Sequence, residues 1–187
     1  MAMARIASEK LARKIRMKQL GLFFILAMCL GIVVLLEEAG AQTRTTTVFI
    51  VRHAERADTP GDSPLSEEGE KRAETLARML RVSGVSAVFS TDTTRTRETV
   101  NNYADMKELA ITLYDSVEEV ASRIKSDHVG QAVLVAGHSN TISPIAEALG
   151  VSPVPDTGEE YDNLYVVTIS SEGTATLTHL KFQIQNN

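Results

Sequence analysis

The 187-residue chain has 43% hydrophobic residues and carries 19 basic against 24 acidic residues, a formal net charge of −5. This length suffices for one α/β domain with a hydrophobic core and is too short for two domains of ordinary size. The acidic balance argues against nucleic acid and anionic membrane surfaces as partners. A single cysteine, Cys29, leaves no disulfide framework or thiolate metal site.

The first 41 residues differ in composition from the rest. Six basic residues lie within the first 18, a 17-residue uncharged run covers 20–36, and Ala39-Gly40-Ala41 follows. A basic start, an apolar run and a small-x-small site are typical of a secretory signal peptide. An uncleaved anchor stays open, because the run is near the lower limit of about 17 residues for a bilayer span. We therefore predict an exported protein, periplasmic or secreted, that contacts membrane only through residues 20–36 if uncleaved.

The remainder, residues 42–187, has 13 basic and 21 acidic residues, or −8, and is predicted to form one domain. Its first predicted strand, residues 47–51, ends at Arg52-His53-Ala54-Glu55. A loop rich in turn formers leads to Ser66, a good helix N-cap that precedes two glutamates. Apolar residues at helical spacing then predict a helix that ends near Gly84.

A second strand, residues 86–89, opens into Ser90 and a helix from about Thr94 to Tyr103. A short strand over 110–113 follows. Ser116 and Glu119 then fit the S-x-x-E capping box of a further helix, which reaches about His128.

A third motif strand, residues 132–136, opens into Gly137-His138-Ser139-Asn140. The pattern predicts a helix over 142–149, because Pro144 is tolerable only in a first turn. A hairpin of strands 164–170 and 174–183 ends the chain. The loop over 151–161 is a candidate lid. Its Tyr161 and the following Asp162 could reach the pocket from the lid side, although packing at the start of the next strand is the favoured alternative.

The alternation of strands and helices predicts a single three-layer α/β sandwich, with a mostly parallel sheet flanked by helices and a C-terminal antiparallel pair. In such sheets ligands bind outside the carboxyl ends of the strands. Arg52, His53, Arg95 and His138 would therefore share one crevice. Two guanidinium groups and two imidazoles favour binding of a tetrahedral dianion such as a phosphoryl group.

The chemistry of this set points to phosphoryl transfer through a covalent intermediate. A neutral imidazole can attack phosphorus, so His53 is assigned as nucleophile, with Arg52, Arg95 and His138 clamping the phosphoryl oxygens. Further site residues are Ser90 and Asn140 as hydrogen-bond donors and Glu55, expected to pair with a pocket arginine or orient His53. No metal-ligand spacing is found, so we predict neither metal nor cofactor.

Four segments carry a resemblance to a known family: VRHAER (51–56), LSEEG (65–69), STDTTRTRET (90–99) and GHSNT (137–141). In order and spacing they resemble the histidine phosphatase superfamily, also called phosphoglycerate mutase-like. The resemblance implies a parallel α/β sandwich in which the Arg52-His53 pair carries the phosphorylated histidine. It also implies that Arg95 binds phosphate, that Thr99 is its structural companion and that His138 is the second histidine.

The sequence departs from that family in two respects. The family's leaving-group acid is a glutamate in an L-x-E segment, and the matching stretch here ends at Asp115, our candidate acid. Glu118 and Glu119 are the alternatives, although Glu119 also has the capping role. The small size resembles the phosphohistidine and envelope sugar-phosphate phosphatases of the superfamily more than its mutases.

These observations together predict a phosphatase that hydrolyses a phosphate ester or phosphoramidate through phospho-His53. Its substrate is expected to be a phosphorylated small molecule or a phosphoprotein. A non-catalytic phosphate-binding module and a phosphoglycerate mutase-type phosphotransferase are the alternatives.

Overall fold

The computed structural model describes residues 17, 44–58, 60–156 and 158–184. The signal-peptide prediction for residues 1–41 therefore lies, apart from Met17, outside the described residues. Within the described part of the chain, no helix combines the length and the apolar character needed to cross a membrane. Residues from 44 onward belong to one compact unit, Thr43–Asn187.

Strands and helices alternate along this unit until the final hairpin. They are β1 (Thr46–Arg52), α1 (Glu67–Leu80), β2 (Val85–Ser90), α2 (Thr94–Lys107), β3 (Ile111–Leu113), α3 (Val117–Asp127), β4 (Ala132–Gly137), α4 (Ser139–Ala148), β5 (Asn163–Ile169) and β6 (Ala175–Lys181). The sheet order is β3-β2-β4-β1-β5-β6. The first four strands in that order run parallel, while β5 is antiparallel to β1 and β6 to β5. The predicted fold class is confirmed.

The core has two halves, one on each face of the sheet. Successive side chains of a strand point to opposite faces, so Val48 and Ile50 of β1 pack in one cluster and Val51 in the other. Buried residues of α3 and α4 join the first cluster, and those of α1 and α2 join the second. Both faces are thus covered by helices, which explains why β1 and β4 read as continuous apolar runs.

The register of the parallel strands brings the three motifs to one edge. Arg52 of β1 lies opposite Gly137 of β4, and Ser90 of β2 lies opposite Ala136 of the same strand. The His53 backbone N–H also donates to the Gly137 carbonyl (2.8 Å). Strand β4 therefore lies between the other two, with the residues after all three strands side by side.

Helix α4 differs from its prediction. It begins at Ser139 rather than at 142, so Pro144 lies in the second turn instead of the first. The physical reason is the N-terminal cap, because the Thr141 Oγ1 accepts a hydrogen bond from the His138 backbone N–H (2.9 Å) and starts the helix there. The ring of Pro144 removes the N–H that would reach the carbonyl of exposed Asn140, where solvent can take its place.

Candidate active site

His53 lies directly after β1 and is almost fully buried. Its Nδ1 is 2.8 Å from the carbonyl oxygen of Ala54. Because a carbonyl only accepts, Nδ1 carries the hydrogen and donates it, which leaves the lone pair of the neutral ring on Nε2. The contact therefore leaves Nε2 as the nitrogen available to attack a substrate, a choice that the sequence left open.

The surroundings keep His53 neutral. Burial is the largest cause that lowers its pKa, from 6.5 to about 4; the hydrogen bond to Ala54 opposes this shift, and the positive charges of Arg95 and Arg52 add to it. A histidine with this pKa holds a free lone pair at neutral pH. It can therefore act as a nucleophile without a general base.

The lowered pKa of His53 also predicts how stability depends on pH. The unfolded chain binds a proton at this residue below about pH 6.5, whereas the folded chain does so only near pH 4. Folding stability should therefore fall as the pH drops through this window, by about 2 kcal/mol between pH 7 and pH 5 from this residue alone. Urea unfolding of the wild type and of His53→Asn at both pH values measures this change in the free energy of unfolding. An equal loss in both proteins would contradict the prediction.

His138 faces His53 from the end of β4. The two ring centroids are 5.4 Å apart in an edge-on arrangement. Burial, followed by the charges of Arg95 and Arg52, lowers the pKa of His138, so this ring is also neutral at pH 7. Its Nε2 is 3.0 Å from the hydroxyl oxygen of Thr91. Thr91 thus orients the second histidine, a role that the sequence analysis missed because residues 91 and 138 meet only in the fold.

Arg52 is buried at the end of β1, and the loop over 151–161 contacts it. Its Nη1 donates to the Gly158 carbonyl (3.3 Å), and its Nη2 lies 3.6 Å from the carboxylate of Glu159. Its guanidinium carbon lies 4.2 Å from the centre of the Tyr161 ring, and that ring is 5.8 Å from the His53 ring. Tyr161 therefore reaches the site, as the first of the two alternatives predicts, and the preference for packing at the strand start is wrong.

Arg95 lies in the first turn of α2, and its charge lowers the pKa of both histidines. Thr99, one turn further on, fixes that helix to the nucleophile. Its hydroxyl donates to the Arg95 carbonyl (2.7 Å) and accepts from the Ala54 backbone N–H (2.9 Å). The R-x-x-x-T spacing therefore ties Arg95, the predicted phosphate-binding arginine, to the residue that follows His53.

Some donors of the two arginines are unused. Within the described part of the chain, the buried Nε atoms of Arg52 and Arg95 have no hydrogen-bond partner. Guanidinium N–H groups in a fixed fork match the geometry of a tetrahedral oxyanion. Both arginines therefore keep donor capacity for an anionic ligand.

Glu55 has a different partner from the one expected. Its carboxylate accepts hydrogen bonds from Nε of Arg72 on α1 (2.9 Å to each oxygen), and not from a pocket arginine. Both side chains are largely buried, and Arg72 also donates to the Phe182 carbonyl (3.3 Å). The pair therefore fixes the segment after His53 to α1 and to the C-terminal residues.

The LSEEG segment (65–69) contacts the backbone of the residues that follow His53. The backbone N–H of Ser66 donates to the Glu55 carbonyl (2.9 Å), and the Ser66 hydroxyl caps α1 at Gly69 N–H (3.2 Å). A Cβ at Gly69 would lie 2.1 Å from the Glu55 carbonyl oxygen. Only glycine therefore lets α1 approach the backbone that positions His53.

Replacing Gly69 with alanine is accordingly expected to separate α1 from residues 53–56. The blocking atoms belong to the backbone, so the helix itself must shift. We expect overpacking to lower the free energy of unfolding by about 2 kcal/mol. The higher helix propensity of alanine, about 1 kcal/mol over glycine, offsets only part of this loss. Chemical denaturation measures it, with exposed Glu70→Ala as the control. Wild-type stability in Gly69→Ala would show that the contact is not restrictive.

Two of the predicted hydrogen-bond donors, Ser90 and Asn140, have less direct relations to the site. The Ser90 hydroxyl is buried and donates to the Thr91 carbonyl (2.9 Å), so its proton is already used within the chain. Asn140 is exposed in the first turn of α4, at the helix end that begins at His138. Ser90 therefore supports the loop that carries Thr91, while Asn140 remains a predicted donor.

The candidate acids lie between β3 and α3. Asp115 and Glu118 are exposed, and within the described residues no hydrogen bond or ion pair joins the Asp115 carboxylate to either histidine. Glu119 accepts from the Asp115 backbone N–H (2.9 Å) and lies 3.4 Å from Arg123, which matches its capping role. Asp115 stays the predicted acid.

The described residues hold no cluster of three or more His, Cys, Asp or Glu side chains suited to a metal ion. The chemistry they do offer is a neutral imidazole nucleophile flanked by two guanidinium groups and a second imidazole. Such a set can bind a tetrahedral phosphoryl group and stabilise the charge on its oxygens during an in-line displacement.

Comparison with known proteins relates this site to one family. The family model of the histidine phosphatase superfamily (branch 1) matches residues 48–121, which include His53 and Arg95. No curated protein matches the chain.

Solved structures share the fold. The protein histidine phosphatase SixA complexed with tungstate has a TM-score of 0.61 and 21% identity, over 72% of this chain and 96% of that one. A protein assigned as phosphohistidine phosphatase SixA from Agrobacterium tumefaciens gives 0.56 and 25%, over 72% and 97%. A mycobacterial glucosyl-3-phosphoglycerate phosphatase gives 0.58 and 14%, over 75% and 100%.

Proposed function

We propose that this chain, of which residues 48–121 match the histidine phosphatase superfamily (branch 1), hydrolyses a phosphate ester or phosphoramidate through a phosphohistidine intermediate on His53, without a metal ion. The observation that carries this proposal is the state of His53. It is buried and neutral, its Nδ1 hydrogen is held by the Ala54 carbonyl, and its Nε2 lone pair is free. A residue that only bound phosphate would gain from a positive charge, whereas this environment removes that charge.

The reaction has two steps. In the first, Nε2 of His53 forms a bond to phosphorus while the bond from phosphorus to the leaving group breaks, and the leaving group takes a proton. In the second, water attacks the phosphohistidine, the P–N bond breaks, inorganic phosphate leaves and Nε2 regains its lone pair. Arg52 and Arg95 offset the negative charge on the equatorial oxygens in both steps.

The second histidine and the acid have separate roles in this scheme. His138, held by Thr91, donates a hydrogen bond to a phosphoryl oxygen once a substrate displaces the threonine contact. We assign the proton for an ester leaving group to Asp115. An imidazole or phosphoanhydride leaving group has less need of an acid, since it leaves more easily.

The substrate class is proposed as a phosphorylated small molecule or a phosphohistidine protein. The similar structures support both, since one is described as a protein histidine phosphatase and another as a glucosyl-3-phosphoglycerate phosphatase. Export to the periplasm or the exterior is proposed from the basic start, apolar run and small-x-small site of residues 1–41.

Hydrolysis of p-nitrophenyl phosphate by the purified full-length protein, with and without a chelator, tests the proposal. We expect release of p-nitrophenol that the chelator does not affect. Quenching with a radiolabelled ester should also trap a protein-bound phosphate that survives alkali and is lost in acid, as a phosphoramidate is. Release that stops on chelation would contradict the metal-free mechanism, and a folded protein that releases and traps nothing would favour the binding module.

A further inference from the structure

Each of the two arginines beside His53 already faces a carboxylate from a loop. The Asp62 carboxylate is 3.6 Å from Nη1 of Arg95, and the Glu159 carboxylate is 3.6 Å from Nη2 of Arg52. The first loop follows β1 and the second precedes β5, so both lie at the sheet edge that carries the histidines. The acidic side chains therefore approach the same guanidinium groups that would hold the phosphoryl oxygens.

Asp62 is the more firmly held of the two carboxylates. Both of its oxygens lie 3.0 Å from the backbone N–H of Thr94, and one also accepts from the Thr94 hydroxyl (2.7 Å). These contacts place it at the N-terminus of α2, where a negative charge is favoured. The Thr94 hydrogen bonds are also the main cause of its lowered pKa, so Asp62 is ionised at neutral pH. Its position is thus set by the fold, whereas Glu159 is almost fully exposed.

The charges around the site therefore nearly cancel before substrate binds. Two arginines contribute positive charge, both histidines are neutral, and Asp62 and Glu159 contribute negative charge. A phosphoryl dianion still gains from bidentate contacts with the arginines. A second anionic group on the same substrate finds no unpaired cation among these residues and meets two carboxylates at the rim.

We propose that Asp62, assisted by Glu159, determines specificity by restricting this site to phosphomonoesters and phosphoramidates whose leaving group is neutral or cationic. This inference rests on the proposed phosphatase function and narrows its substrate class. Esters that carry a carboxylate or a second phosphate next to the phosphoryl group are disfavoured, because that group must lie close to Asp62. Phosphoglycerate, the substrate of the mutase alternative, falls in this disfavoured class.

Three compact esters that differ mainly in charge test this proposal: ethyl phosphate, phosphoethanolamine and phosphoglycolate. At low ionic strength we expect kcat/KM for phosphoglycolate to be at least about fivefold below that for ethyl phosphate, because its carboxylate would lie close to the Asp62 carboxylate. Asp62→Asn should reduce the ratio of kcat/KM for ethyl phosphate to kcat/KM for phosphoglycolate about fivefold, because the amide oxygen can keep the Thr94 contacts without the charge. Added salt should reduce it in the wild type.

Asp92→Asn is the matched control, since Asp92 pairs with exposed Arg97 rather than with a site arginine. For Glu159→Gln, the control is its neighbour Glu160→Gln, whose carboxylate pairs with Lys181. Both controls should keep the wild-type ratio. A ratio unchanged within twofold in Asp62→Asn, or one that Asp92→Asn alters equally, would overturn the proposal.

Calorimetric binding separates this inference from the phosphatase function. Dissociation constants for ethyl phosphate and phosphoglycolate are measured in His53→Asn, which cannot form the intermediate, with and without Asp62→Asn. If the wild type hydrolyses none of the esters while binding shows the same dependence on Asp62, charge selection stands and the phosphatase proposal fails. If hydrolysis occurs but neither kinetics nor binding depends on Asp62, only the charge selection fails.

Discussion

Replacement of His53 with alanine is expected to lower kcat/KM for p-nitrophenyl phosphate by about 10⁴-fold or more, because it removes the atom that is proposed to form the bond to phosphorus. The trapped phosphoenzyme should disappear in the same variant. The loss should appear mainly in kcat, since Arg52 and Arg95 remain to bind the phosphoryl group. Steady-state kinetics together with the quench experiment measure both effects.

His179→Ala is the control for this substitution. The His179 ring stacks on Tyr165 at 4.4 Å and hydrogen-bonds to Asn163, with no contact to the proposed nucleophile. Activity should stay within about twofold of wild type, as for a surface change away from the site. If His53→Ala instead kept more than about one per cent of the activity, a direct attack by water would have to replace the covalent mechanism.

The sequence was sufficient to predict the fold and the sheet edge that carries the site. Apolar runs such as 47–51 and 132–136 are long enough to be identified as buried strands. Once the strands are located, the residues at their carboxyl ends are located as well. Parallel strands end at the same edge, so Arg52, His53 and His138 had to lie near one another. Helix α4 was placed three residues late because a histidine followed by Thr141 at the cap is not a common start signal.

Contacts between distant segments were beyond the sequence analysis. Thr91 meets His138, and Asp62 meets Arg95, only because separate loops converge above the sheet. Neither threonine nor aspartate in a loop has a pattern that distinguishes such a role from ordinary turn formation. The same holds for Glu55, whose partner Arg72 is a charged residue on the buried face of α1 that also donates to the Phe182 carbonyl. The general acid likewise stays a prediction at Asp115.

Replacement of Arg95 with alanine should have the next largest effect, a fall in kcat of about 10²–10³-fold, as for other groups that stabilise transition-state charge. Lysine should restore only a small part of this activity, because its ammonium cannot supply two parallel N–H donors to one phosphoryl group. Arg97→Ala provides the control, since Arg97 lies two residues away on the same helix and pairs with Asp92 at the surface.

The pH profile separates an electrostatic role of Arg95 from a merely structural one. The Arg95 charge is among the causes that lower the pKa of His53. Its removal should therefore raise that pKa, and the pH below which the nucleophile becomes protonated should move upward in Arg95→Ala but not in Arg97→Ala. Titration of the histidines in the free protein, followed by NMR, measures the pKa of His53 directly. Because no substrate is present, ionisation of the substrate does not contribute to the result. If the His53 titration did not move while activity fell, Arg95 would act by holding α2 in place, through the carbonyl that Thr99 contacts, rather than by its charge.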